Sequence, residues 1–399
     1  MSVLNSVQSE QVVPQINAIA HGESYALGYE LGETLRQRIH HCFDILSSLE
    51  FFRLQQPWWM PYTAFLWSAE SRAQSLLQAH VERSFPQMFE RINGMAAGSG
   101  VRVGTLYLYL ALEAVMASID SATRVDQIPE PFAACTALAA RGERSAFGSP
   151  FVVHNFDNVA QSREFFVVRE ICRPQQYRSL EFTGAPLGGV IDGVNEAGLC
   201  IAYDYAMTVD GEQSGPPVSL AIDDALGACS TVAAAAQRIQ SHPRCGGAIL
   251  MLADASGDIA SLELSSTRSF LRRPSSGEDV LHHSNAFQAS TMKKVQVSPH
   301  ACYAETTPFG LRGQRVLQSP ERRDERLHGL LSQLGRLGAE EVGQLISDHG
   351  PDGQPSSDTV CMHGDHWSTI ASLQLFPVER KMRIGYGPAC QAEFRELSL

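Results

Sequence analysis

Two stretches of the chain together present a thiol beside a fixed carboxylate: Ala133-Ala134-Cys135-Thr136-Ala137-Leu138 and Phe151-Val152-Val153-His154-Asn155-Phe156-Asp157. Cys135 opens a β-like run deep inside the chain, and the second run ends in Asn155-Phe156-Asp157. A hairpin between them returns Asp157 to the side of Cys135. A thiolate attacks carbonyl carbon well once a base or a lowered pKa supplies it. The base is open between a histidine and the cysteine's own α-amine, the latter if the chain is cut just before Cys135. Ala134 is small, which permits the tight geometry of such a cut. A carboxylate at Asp157 can hold an ammonium or orient a proton acceptor. The same residues also suit a buried cysteine at a strand start and an Asn-x-Asp turn.

Two later stretches place an amide after a strand. Asn195 lies in Gly193-Val194-Asn195-Glu196-Ala197-Gly198, where it serves either a tight turn or, through its backbone N–H, a developing oxyanion. Asn285 follows His282-His283-Ser284, and its side-chain amide is a second candidate oxyanion donor. Arg322-Arg323 lies near the start of a helical stretch; one guanidinium could bind a substrate carboxylate, or both could face solvent. Cys361-x-His363-x-x-His366 looks like a ligand cluster to which His282-His283 could add, but it is one loose set rather than two paired sets, so no metal is expected. The chain carries no G-x-S-x-G, H-E-x-x-H, P-loop or G-x-G-x-x-G motif, so serine hydrolase, zincin and nucleotide-binding readings lack support.

These residues need elements to position them. Residues 15–120 read mostly as helix: Ala26–Leu46, with Gly28 and Gly32 four apart for close helix packing, then Tyr62–Ile92 and Gly104–Ala117. Ser118–Pro131 reads as a polar, proline-bearing linker. Short strands with Gly and Asn-Glu turns follow: Ala134–Ala140, Pro150–Asn155, Glu164–Ile171, Arg178–Phe182, Gly188–Val194 and Leu199–Tyr203. A helix near Ser230–Ser241 precedes strands at Gly247–Ala253, Ile259–Leu264 and Val280–His283. Helices at Pro320–Leu337 and Ala339–Ser347 come before closing strands at Thr359–Met362, Ser368–Phe376 and Lys381–Tyr386. That order predicts an α+β layered domain, two sheets face to face with helices outside.

The chain has 399 residues and a net charge of −12. That balance argues against nucleic acid or an anionic membrane surface as partner. No apolar run is long enough to span a bilayer, and Met1–Pro14 lacks the regions of a signal peptide. The nine cysteines are scattered and odd in number, which suits reduced thiols in a cytoplasm. Composition leaves homo-oligomer formation open.

The chain resembles the acyl-coenzyme A:6-aminopenicillanic acid acyltransferase-like family, the C45 group of N-terminal nucleophile (Ntn) hydrolases. The resemblance rests on Gly22-Glu23-Ser24-Tyr25-Ala26-Leu27-Gly28, Phe85-Pro86, Ile92-Asn93-Gly94, Cys135-Thr136, Asn155-Phe156-Asp157 and Asn195-Glu196-Ala197-Gly198-Leu199. It continues in Ala253-Asp254, Ser284-Asn285-x-Phe287, Asp348-His349, Val360-Cys361-x-His363 and Gly385-x-Gly387-Pro388. It implies a four-layer αββα sandwich, with residues 1–134 a mainly helical pro-segment packed on a 135–399 core. It implies self-cleavage at Ala134–Cys135, Cys135 as nucleophile, its freed α-amine as base, and Asp157 organising that amine. Asn285 and the backbone N–H of Asn195 would form the oxyanion hole. His154, Asn155, Arg322 and Arg323 would contact substrate. The chain departs from the pattern at Ala134, where glycine is common, at His154, where glutamine or arginine is common, and at Ala286, where histidine is usual. The expected activity is hydrolysis or transfer of an acyl group from a small N-acyl amide or acyl-coenzyme A to water or an amine, without a cofactor. The rival readings are an uncleaved, catalytically silent binding protein and a metal-dependent hydrolase using Cys361, His363 and His366.

Overall fold

The computed structural model describes residues 13–117, 127–128, 133–211, 215–305, 307, 309–364 and 366–399. Most of the expected linker, 118–131, lies outside the described residues. The first strand, β1 (Ile16–His21), leads into helices α1 (Ser24–Thr34), α2 (Arg36–Leu46), α3 (Glu50–Leu54), α4 (Tyr62–Ser84), α5 (Pro86–Ser99) and α6 (Val103–Ala117). Strands β2 (Gln127–Ile128), β3 (Ala133–Ala140), β4 (Phe151–Val159), β5 (Phe166–Cys172), β6 (Ser179–Gly184), β7 (Asp192–Asn195) and β8 (Leu199–Ala206) follow. Helices α7 (Val218–Ala228) and α8 (Val232–Ser241) precede β9 (Gly247–Asp254), β10 (Ile259–Leu264), β11 (Ser269–Arg272), β12 (Val280–Ser284) and β13 (Cys302–Tyr303). The chain closes with α9 (Gln318–Gln333), α10 (Ala339–Ile346), β14 (Trp367–Phe376), β15 (Lys381–Tyr386) and β16 (Arg395–Ser398).

Two large sheets form. One has the order β1-β5-β6-β7-β8-β9-β10-β11, the other β12-β3-β4-β14-β15-β16. β3 and β4 pack across onto β8 and β9, while α7 and α8 cover the first sheet and α9 and α10 the second. The expected αββα layering is therefore the observed one. Strands of this kind, buried on both faces, read as apolar runs such as Leu199–Ala206 rather than as alternating patterns.

The helical front docks through glycine. A Cβ at Gly28 would lie 2.1 Å from the Arg91 carbonyl oxygen, and one at Gly94 2.1 Å from that of Tyr25. Only hydrogen side chains let α1 and α5 approach so closely. α5 begins at Pro86 and is capped after Ser99 by Gly100, whose φ of 76° is left-handed.

Several elements depart from the sequence reading, these among them. β1 adds to the edge of the large sheet by parallel pairing with β5, so the front segment is not only helical. α7 went unread, although Pro216-Pro217 announces its start. Thr359–Met362 is not a strand but a loop. The helical stretch read from Tyr62 to Ile92 is two helices, divided at Phe85-Pro86. No helix among the described residues is long and apolar enough to cross a membrane.

Candidate active site

The hairpin forms in the register that Cys135 requires. β3 pairs antiparallel with β4 so that Cys135 lies opposite Phe156 and Ala134 opposite Asp157. Side chains alternate across a strand. Cys135, Ala137, His154 and Phe156 therefore face the partner sheet, and Thr136, Asn155 and Asp157 face the outer helices.

On the inner face the Cys135 thiol, His154 and Asp204 have their reactive atoms within 4.8 Å of one another. His154 Nδ1–H donates to Asp192 Oδ2 at 2.7 Å. Its Nε2 lies 2.9 Å from Asp204 Oδ1, an ion pair too poorly aligned for a hydrogen bond. His283 Nε2 sits 3.3 Å from the other Asp204 oxygen. All four side chains are fully buried. Burial works against charge on His154, but Asp192 and Asp204 outweigh it and hold the imidazole protonated well above its usual range. Burial pushes the Cys135 thiol up to about 12, with Asp204 adding to the rise and His154 opposing it.

On the outer face the peptide around Cys135 is gripped. Its N–H donates to Asn285 Oδ1 at 2.7 Å. Arg323, fully buried on α9, donates to the Cys135 carbonyl and, at 2.7 Å, to Thr136 Oγ1. Its other arm donates to Asn285 Oδ1 at 3.0 Å. The Asn285 amide nitrogen donates to the Tyr205 carbonyl at 3.0 Å. Asp157 Oδ1 accepts from the Thr369 hydroxyl at 2.5 Å. Asp157 Oδ2 is buried without a hydrogen-bond donor, and the Arg323 guanidinium stands 3.9 Å away. Burial raises the Asp157 carboxyl to about 7, against the pull of Arg323 and Thr369.

A mostly apolar cavity of ≈ 780 Å³, counting its solvent-open mouth, meets Cys135. Leu46 and Leu49 near α2, Tyr109 and Leu112 of α6, and Phe156, Phe166 and Tyr205 of the strands line it. The helical front thus supplies one wall. Glu113 is the acidic group in the lining. It accepts from Ser219 Oγ–H at 2.5 Å and Ser219 N–H at 3.0 Å, and burial raises its carboxyl to about 7.

The structure brings Cys135, Asp157, Asn285, His154 and Arg323 together. The others lie elsewhere. The Asn195 side chain ties a turn: its amide donates to Leu226 and Cys229 carbonyls, and its oxygen accepts from Leu199 N–H. Asn155 points into the helix layer, donating to Ile346 and Val360 carbonyls. Arg322, one residue from Arg323, pairs with Asp358 at the surface. His282 and His283 cannot act as one ligand pair, because alternation sends His282 outward to Asp324 and His283 inward to Asp204. The sequence reading missed Asp192, Asp204 and Glu113. A lone carboxylate inside the apolar run Leu199-Cys200-Ile201-Ala202-Tyr203-Asp204-Tyr205-Ala206 was the available signal, since such a charge is rarely buried without a partner.

Residues 145–387 match the family model described as acyl-coenzyme A:6-aminopenicillanic acid acyl-transferase. That span includes His154, Asp157, Asn285 and Arg323 but begins after Cys135. Solved structures similar to the chain include an N-acylethanolamine-hydrolyzing acid amidase ortholog from Caenorhabditis elegans, with 14% identity and a TM-score of 0.42 over 61% of this chain and 93% of that one. A mutant of conjugated bile acid hydrolase from Clostridium perfringens has 14% identity and a TM-score of 0.38 over 66% and 97%. Penicillin V acylase from Agrobacterium tumefaciens has 12% identity and a TM-score of 0.34 over 68% and 81%. No curated protein matches the sequence. The family match spans more than half the chain, which belongs to the acyl-coenzyme A:6-aminopenicillanic acid acyl-transferase family.

Proposed function

We propose that the protein is an Ntn-type cysteine amidohydrolase or acyltransferase that matures by cleavage at Ala134–Cys135. The observation that carries this reading is the supply of bases around the thiol. His154 is the nearest imidazole, yet two carboxylates hold it as a cation, so it cannot take the thiol proton at neutral pH. Burial keeps the thiol protonated up to about 12 in the intact chain. An α-amine has an ordinary pKa of about 8 and is far better matched to the task. Cleavage would create that amine at the Cys135 nitrogen, 2.7 Å from Asn285 Oδ1. Asp157, opposite Ala134 and with one oxygen lacking a donor, is suited to hold it.

In this reading the amine accepts the thiol proton and the sulfur attacks the substrate carbonyl. The C–N or C–S bond to the leaving group breaks, and the leaving group takes the proton. Water or an amine then attacks the acyl-cysteine, the acyl C–S bond breaks, and the proton of the incoming group returns to the Cys135 sulfur through the α-amine. Asn285 would supply an oxyanion donor once substrate displaces its contact with the Tyr205 carbonyl; a donor of this kind contributes about 3–4 kcal/mol. The apolar cavity favours an acyl group of several carbons, each buried methylene adding about 0.8 kcal/mol.

A panel of N-acyl amides and acyl-coenzyme A thioesters, read by mass spectrometry for free acid or new amide, tests the reading. Turnover by the wild type and none by Cys135→Ser is the expected result. The second reading is an uncleaved protein that binds acyl compounds. Binding of acyl compounds without turnover would favour it.

A further inference from the structure

Four potential metal ligands from three separate stretches converge behind the site. They are His349 after α10, Cys361 and His363 in the loop before β14, and Cys390 after β15. One ligand atom of each lies within 4.8 Å of every other. His363 Nε2 stands 3.5 Å from Cys361 Sγ and 3.3 Å from Cys390 Sγ. A tetrahedral zinc with Zn–S of about 2.3 Å and Zn–N of about 2.0 Å has S···N edges of about 3.5 Å. The rings of His349 and His363 are 5.0 Å apart at 82°. His349 Nε2 is buried and has no hydrogen-bond partner, which is costly unless something fills that role.

We propose that His349, Cys361, His363 and Cys390 form a structural Cys2His2 zinc site. The donor set is that of structural zinc, and four protein ligands close the coordination sphere. Two thiols lose their protons to solvent on binding, and the two thiolates neutralise the ion; nothing is oxidised. The nearby carboxylate of Asp348 is not free to ligate, because Arg326 holds both its oxygens at 2.7 and 2.9 Å. The ligand backbone is already fixed: Cys361 N–H donates to the Asp348 carbonyl at 3.0 Å and His363 N–H to that of Ser356 at 3.1 Å. Cys390 is exposed while Cys361 is buried, so an ion can enter from solvent.

The site also bears on Asp157. Met362, between two ligands, donates its N–H to Thr369 Oγ1 at 2.9 Å, and Thr369 N–H donates back to the Met362 carbonyl at 3.0 Å. The Thr369 hydroxyl donates to Asp157. Zinc would therefore lock the loop that orients Asp157, a positioning role separate from the nucleophile. The cluster is not the one that spacing suggests: His366 of Cys361-x-His363-x-x-His366 lies outside it, and Cys390 and His349 replace it.

The test is elemental analysis of untagged, full-length protein equilibrated with zinc and then desalted. About one zinc per chain is expected in the wild type and in His366→Ala, and less than about a tenth in Cys390→Ser and in His349→Ala. Circular dichroism checks that each variant is folded. If both ligand variants fail to fold, cobalt substitution of the wild type replaces them, with the visible bands of tetrahedral thiolate-bound cobalt expected. Folded wild type holding less than about a tenth of an equivalent overturns the proposal, as does a Cys361–Cys390 disulfide in freshly purified protein.

Discussion

The two faces of the β3–β4 pair carry polar structure of different kinds. On the inner face, His154, His283, Asp192 and Asp204 are bound to one another across the sheets, and the thiol touches their edge. On the outer face, Arg323, Asn285 and Asp157 gather around the backbone at residues 134–136. The inner cluster is a fixed, fully buried set of two carboxyl groups and two imidazoles. The outer one leaves Asp157 Oδ2 without a donor and holds the peptide proposed to be cut. Because the Cys135 side chain lies on one face and its peptide on the other, one region sets the thiol's electrostatics while another holds its backbone.

Substitutions can break that division. Arg323→Ala should destabilise by about 3–5 kcal/mol, since it removes buried, charge-assisted hydrogen bonds to the Cys135 carbonyl, Thr136 and Asn285. Arg322→Ala, on the same helix but at the surface, should change stability by less than about 0.5 kcal/mol. Denaturant melts of the pair check this, and equal effects would deny that the outer cluster depends on Arg323. Asn285→Ala should lower kcat about 10²–10³-fold while the protein stays folded, measured on whichever acyl substrate turns over.

His154→Gln addresses the inner face and should cost about 1.5–3 kcal/mol at neutral pH. In the wild type Asp204 is held at about 2: burial opposes this, and His154 and His283 prevail. Its contribution is therefore present above its ordinary pKa and lost only as pH falls through about 2. In the variant the unpaired carboxylates rise instead, so stability should be highest in mild acid and fall as pH climbs to neutrality. A pH series of thermal melts shows which pattern holds.

Glu113→Gln should have a small effect, within about 1 kcal/mol. The folded carboxyl sits at about 7 against an ordinary 4.5, so its stabilising contribution is full below 4.5 and lost as pH rises through 7. The neutral glutamine should flatten that part of the decline between pH 4.5 and 7. An unchanged slope would mean that Glu113 titrates normally.

What sequence could show follows the same division. The Cys135–Asp157 relation was readable because it lies within one hairpin, where a period of two and a turn fix the register. The ends of β10 and β15 were readable from apolar runs bounded by turn residues. Asp192 and Asp204 were not, because they meet His154 only when two sheets stack, and no local pattern encodes that contact. β1 escaped notice because its partner β5 lies far along the chain. Likewise His349 and Cys390 join Cys361 through tertiary packing, so spacing pointed to His366 instead. Arg322 and Arg323 looked alike in sequence, and only the orientation of α9 separates a buried guanidinium from a surface one.

The central claim is that Cys135 becomes an N-terminus. The intact mass of freshly purified wild type, beside Cys135→Ala, tests it most directly. The account predicts fragments of 134 and 265 residues in the wild type, the larger beginning at Cys135, and one 43.6 kDa chain in the variant. A single intact chain in both, still active on an acyl substrate, would contradict it.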